Sequence, residues 1–165
     1  ERKGMVMNYL KDVKKVLLDA KLQPNLLSKN VLNVTSQLDE DYSDQGVLTD
    51  NTPGLPFDYH TGWMLVSASD LNAKIEGLNE SGLFHIKLNF LLDEHLKLRA
   101  PEKIQVLVND VIVKTITPSF KMSDSAQRLG LETTVNLKST DNITVIVVRD
   151  KTYNKFACDE IYLYK

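Results

Sequence analysis

The chain has 165 residues, enough for one domain with a real core, and its 42% apolar and 25% charged residues are the balance of an ordinary globular protein. A formal net charge of -2 gives no electrostatic basis for binding nucleic acid or an anionic membrane surface. The single cysteine, Cys158, excludes an intrachain disulfide, and no apolar run is long enough to cross a bilayer as a helix.

The first element in chain order is a helix over residues 5–21. Val6, Leu10, Val13, Leu17 and Ala20 form an a/d heptad stripe, and Pro24 stops it because the residue before a proline disfavours helix. The stripe either packs on its own domain or ends a coiled-coil stalk that joins the domain to other subunits of an oligomeric protein. About two and a half heptads cannot hold a coiled coil alone. The chain opens on Glu1, Arg2 and Lys3 rather than Met, so it is expected to be a piece of something longer.

Residues 23–56 are polar and rich in turn formers, with one short strand at 31–35. Asp39, Glu40, Asp41, Asp44 and Asp50 crowd here without a lysine or arginine among them. Closely spaced carboxylates suit a hard cation such as calcium. The spacing does not match a helix-loop-helix calcium loop, and a solvated acidic loop explains the same residues. Residues 57–69 mix aromatics with a strand in which Trp63, Leu65 and Ser67 alternate with Met64, Val66 and Ala68. Trp63 reads as core. Tyr59 and His60 lie nearer a loop and are ligand candidates, since flat aromatic faces with a polar handle suit a sugar ring.

Residues 70–81 read as a connector of weak helical character. A strand follows at 83–92, with Phe84, Ile86, Leu88, Phe90 and Leu92 on one face and His85, Lys87 and Asn89 on the other. After a polar connector, residues 102–116 read as a hairpin turning at Asn109 and Asp110, two residues that tolerate positive φ. Both of its faces carry apolar residues, which predicts a place inside a two-layer structure. A loop at 117–128 carries Pro118 and Asp124; a strand occupies 129–137; residues 139–142 are a turn cluster. The β-branched run at 143–149 reads as a buried central strand ending at Arg149. A polar loop at 150–155 contains Tyr153, and a last strand covers 156–164, where Cys158 is expected to be inert and buried.

No catalytic motif is present. His60, His85 and His95 show no zinc spacing, and there is no nucleophile elbow, phosphate loop or dinucleotide fingerprint. The chain is therefore expected not to be an enzyme. Strands at short intervals with turn chemistry between them, and no crossover helices, predict a mostly β fold: an antiparallel β-sandwich over 25–165, preceded by one N-terminal α-helix in a 1–24 linker or stalk segment.

The strand order through 83–92, 106–113, 129–137, 143–148 and 159–163 resembles the galactose-binding-like β-sandwich, a jelly-roll architecture shared by many carbohydrate-binding modules. The hairpin has Asn109-Asp110 where Asn-Gly is usual in that group. The resemblance implies a non-catalytic carbohydrate-binding module whose saccharide meets strand-end loops, with Tyr59, His60, Tyr153, Asp124 and Arg149 as candidate ligand residues. It also implies a structural calcium held by an Asp of the last strand, here Asp159, with Asp39 or Asp41. No other cofactor is expected. A stalk-like helix followed by such a module also looks like accessory or receptor-binding proteins of bacteriophage tail baseplates. That likeness implies an extracellular or virion-surface location and host recognition. The competing expectation is a structural or protein-interaction β-sandwich, as in an adhesin, without a sugar site.

Overall fold

A computed structural model gives the fold and describes residues 10, 11, 14, 15, 25–27, 33, 34, 38, 39, 48, 53–55 and 59–165. The strands among them are Asn33–Val34 (β1), Leu38–Asp39 (β2), Met64–Ser67 (β3), Leu71–Ile75 (β4), Gly82–Leu92 (β5), Lys103–Val108 (β6), Val111–Ile116 (β7), Gln127–Leu137 (β8), Ile143–Val148 (β9) and Lys155–Tyr164 (β10). They form two five-stranded sheets, ordered β1-β4-β9-β6-β7 and β2-β3-β10-β5-β8. Every pairing between these strands is antiparallel. The expected helix over 5–21 falls almost wholly outside the described residues.

Alternation explains how the sheets close on one another. Phe84, Ile86, Leu88, Phe90 and Leu92 of β5 point into the core, as the sequence predicts, and meet Phe156, Cys158, Ile161 and Leu163 of β10 beside them. The facing sheet contributes Leu71, Ala73 and Ile75 of β4, Ile104 and Val106 of β6, and Ile143, Val145 and Val147 of β9. Phe90 and Phe156 meet edge-on, with centroids 5.9 Å apart, the arrangement favoured by the ring quadrupoles. A second apolar cluster of Trp63, Leu65, Leu91, Leu98 and Ala157 covers the outer face of the second sheet. This cover is why β5 and β10 are buried on both faces over much of their length.

Three expectations are corrected. Residues 71–75 form β4, not a weakly helical connector: Leu71, Ala73 and Ile75 are buried while Asn72 is exposed, a period of two in a run too short to announce itself. The hairpin turns where expected, with Asn109 and Asp110 at φ of 50° and 66°, the geometry of a type I′ turn. Only β6 is inside the sandwich, however. β7 is an edge strand, and Val111, Ile112 and Val113 are 64%, 53% and 44% exposed. β9 does lie centrally, between β4 and β6, but buries only every second residue.

Along β10, strand β3 pairs only as far as Cys158, opposite Met64. Beyond it the backbone is met by other segments. Leu26 N–H donates to the Leu163 carbonyl at 2.8 Å and Ile161 N–H to the Leu48 carbonyl at 3.2 Å. The Asn25 amide bonds the Ile161 carbonyl and the Leu163 N–H. Buried backbone groups need such partners. Between Cys158 and Ile161 the register against β5 slips, a bulge that buries both Asp159 and Glu160.

Candidate functional site

The register brings four connections to one end of the sandwich. Ser67 lies opposite Lys155, Leu71 opposite Val147, Lys103 opposite Val148, and Leu92 opposite Gln127. The turns after β3 and β9 and the loops after β5 and β7 therefore leave from the same end. Three of the five expected ligand residues, Tyr153, Arg149 and Asp124, sit in them.

Tyr153 is fixed from the backbone outward. One carboxylate oxygen of Asp150 accepts the N–H groups of Thr152 and Tyr153 at 3.1 and 3.0 Å, and Asn154 N–H returns to the Asp150 carbonyl at 2.8 Å. Asn154 takes a positive φ of 62°, which its short polar side chain tolerates, and its carbonyl accepts Ala68 N–H at 2.9 Å. The half-buried ring is backed by Arg99, whose guanidinium carbon lies 4.5 Å from the ring centroid, a cation–π contact. Arg99 also pairs with Glu94 at 3.6 Å. Arg149 is tied to Asp70, through its N–H at 3.0 Å and its guanidinium at 3.4 Å. Asp124 is exposed in the loop before β8.

Tyr59 and His60 pack on each other, with ring centroids 3.8 Å apart at a 40° tilt. Tyr59 also packs on the Trp63 cluster, so part of its surface covers the sheet. Trp63 is fully buried, as expected of a core residue, and its indole N–H bonds the Leu55 carbonyl at 2.8 Å. Arg99 and Asp70 carried no signal as site residues in the sequence. They lie in polar connectors, where only folding shows which charge meets which.

A second polar assembly is built on the outer face of the second sheet. Asp159, on the β10 bulge, is fully buried and 2.9 Å from the Arg128 guanidinium of β8. Gly54 N–H donates to it at 3.1 Å, the Asn89 amide approaches both its oxygens at 3.4 Å, and the Tyr162 hydroxyl donates at 3.3 Å. Glu160 N–H also bonds it. Burial, then the charges of Asp159 and Glu160, push the Tyr162 hydroxyl far above its ordinary pKa. Further along the face, His85 and Tyr164 stack with centroids 4.9 Å apart, and both bond Glu132.

The expected calcium set is Asp39, Asp41 and Asp159. Asp39 lies in β2, and Asp41 is outside the described residues. Calcium requires several oxygen ligands. The shell around Asp159 instead consists of N–H and O–H donors and a guanidinium, so the described residues do not fit a cation at this carboxylate. Arg128, Gly54 and Tyr162 were missed as its partners. The only sequence signal was the half-polar face of the 83–92 strand, which includes Asn89.

No protein-family model matches the chain, and no curated protein matches it. Among solved structures, it is similar to a family 35 carbohydrate-binding module from an environmental isolate, at 12% identity over 84% of this chain and 90% of that one, with a TM-score of 0.45. It is similar too to chitosan-binding module 2, in complex with chitotriose, of a chitosanase/glucanase from Paenibacillus sp. IK-5, at 12% identity over 86% of this chain and 100% of that one, TM-score 0.44. The cleaved adhesin domain of Lys-gingipain matches at 13% identity over 87% of this chain and 96% of that one, TM-score 0.44. Likeness of this degree transfers no function.

Proposed function

We propose that the chain is a non-catalytic saccharide-binding β-sandwich that meets its ligand at the strand-end loops around Tyr153. The observation that carries this is the fixed, partly exposed Tyr153, its ring backed at 4.5 Å by Arg99 and its backbone held by the Asp150 turn. A preorganised aromatic loses little freedom when a pyranose face settles on it. Around it, Arg149, Asp70 and Asp124 supply the charged donors and acceptors that fix hydroxyl groups. Tyr59 and His60 form a second aromatic pair for a neighbouring sugar unit. The ligand class is a cell-surface or cell-wall saccharide. The context is display on a larger assembly, such as a phage tail baseplate, at a virion surface or outside the cell, with the heptad stripe of residues 5–21 as the link to other subunits.

Calorimetry against cell-wall saccharides, guided by a glycan array, tests the reading. Tyr153→Ala is expected to weaken binding roughly tenfold, the cost of losing a stacked aromatic. Unchanged affinity removes Tyr153 from the site, and an array with no ligand at all defeats the proposal.

A second reading is favoured by one observation. The exposed apolar edge strand β7 is what a structural or protein-interaction domain would present to a partner strand. In that case no sugar binds, and substitutions on β7 rather than at Tyr153 abolish function.

A further inference from the structure

We propose that Arg128 is the built-in counter-cation of this sandwich: it neutralises Asp159, where the galactose-binding-like resemblance leads one to expect calcium, and it frees the outer face of the second sheet from any metal requirement there. The inference stands whether or not the chain binds saccharide.

Asp159 is fully buried and Arg128 partly so, with side-chain exposures of 0% and 16%. Among the described residues, the carboxylate is met by donors: Arg128 at 2.9 Å, Gly54 N–H at 3.1 Å, the Asn89 amide at 3.4 Å, the Tyr162 hydroxyl at 3.3 Å and Glu160 N–H. Among the described residues, a calcium ion at these oxygens would face the guanidinium charge, N–H hydrogens and a single hydroxyl rather than a shell of oxygens. The position is built for the arginine. β8 delivers Arg128 opposite Leu91, and the next outward residue of β8 is Gly130, opposite Asn89. A Cβ at Gly130 would lie 3.1 Å from the Asn89 side-chain oxygen and 3.2 Å from the Lys87 chain, so glycine leaves Asn89 room to reach Asp159. The pair thus ties together β8, β5, β10 and the segment around Gly54. Removing the arginine alone strands a buried anion, which is far costlier than removing both charges.

The test is thermal unfolding of the whole chain, in chelator and in calcium, for the native protein, Arg128→Met, Arg128→Lys, Asp159→Asn and the Arg128→Met/Asp159→Asn double variant. Arg128→Met is expected to melt roughly 10 °C lower. Adding Asp159→Asn should return part of that loss, and Arg128→Lys should lose less than half as much. Calcium should move the native protein and Asp159→Asn equally. Three results overturn the proposal: an Arg128→Met variant that melts with the native protein, a Lys variant as unstable as the Met variant, or a calcium-induced rise in native melting temperature that Asp159→Asn abolishes. If Arg128→Met does not fold, the calcium comparison between native protein and Asp159→Asn still decides.

Discussion

At the scale of single residues, Gly54 is under tight steric constraint. A Cβ there would lie 2.4 Å from the Trp63 ring, whose indole N–H is bonded to the next residue, Leu55. The Gly54 N–H is meanwhile committed to Asp159. Ring and backbone cannot separate without breaking one of these bonds. Gly54→Ala is therefore expected to cost about 1–3 kcal/mol in urea unfolding, in the range of overpacked cores. Tyr162 gives a pH signature. Its folded pKa is raised, so its hydroxyl stays protonated in the fold while the unfolded chain ionises above the ordinary value of 10.0. The stability this protects is complete below pH 10 and falls as pH climbs above it. Tyr162→Phe should flatten that alkaline decline, and urea midpoints measured on either side of pH 10 check it. Asp141 acts at the acid end. The Lys138 backbone N–H, then the Asn109 amide, hold its carboxyl below the ordinary 3.8. Its contribution is present above that value and lost as pH falls through the lower folded one. The stability gap between native protein and Asp141→Asn should close in acid.

At the scale of elements, the β6–β7 hairpin shows what turn chemistry does and does not fix. Asn109 and Asp110 adopt the left-handed region, and the Asn109 side chain further bonds Asn142 N–H at 3.0 Å and Asp141 at 2.9 Å. The turn is thus locked to the β8–β9 turn beside it. Asp110→Gly, which relieves the Cβ penalty of positive φ, is expected to stabilise by about 0.5 kcal/mol, and Asp110→Val to cost about 1–2 kcal/mol, both read from denaturant midpoints. The apolar outer strand has no such lock. β7 is an edge with one lysine, Lys114, as its charged guard. Ile112→Lys should leave the melting temperature within about 2 °C, because the side chain is already exposed, while suppressing concentration-dependent association. Sedimentation that shows the native chain and the variant equally monomeric would argue against the edge as a contact surface.

At the scale of the whole molecule, two sheets share one core, in which Phe156 packs against Phe90. Phe156→Ala is expected to cost about 3–5 kcal/mol, the range for a buried aromatic truncation, and to lower the urea midpoint accordingly. Light scattering on the chain with and without residues 1–21 tests the stalk; two monomers at high concentration would remove it. Much of this architecture was legible from alternation alone. β5, β6, β8 and β10 appear in the sequence as runs of period two, because successive side chains of a strand point to opposite faces, and β9 appears as a β-branched run. β4 escaped because five residues of alternation carry little signal beside polar neighbours. The exposure of β7 escaped because a strand apolar on both faces reads the same at an edge as in a centre. The longer strands, the positive-φ turn at Asn109 and Asp110, and the burial of Trp63 and Cys158 were readable from the chain alone, since these follow from local periodicity and side-chain chemistry. That Asp159 faces Arg128 and that Tyr153 leans on Arg99 emerges with the folded chain. Those partners lie 31 and 54 positions apart in the chain, and charge pairing across such distances is set by sheet order and register rather than by any local rule.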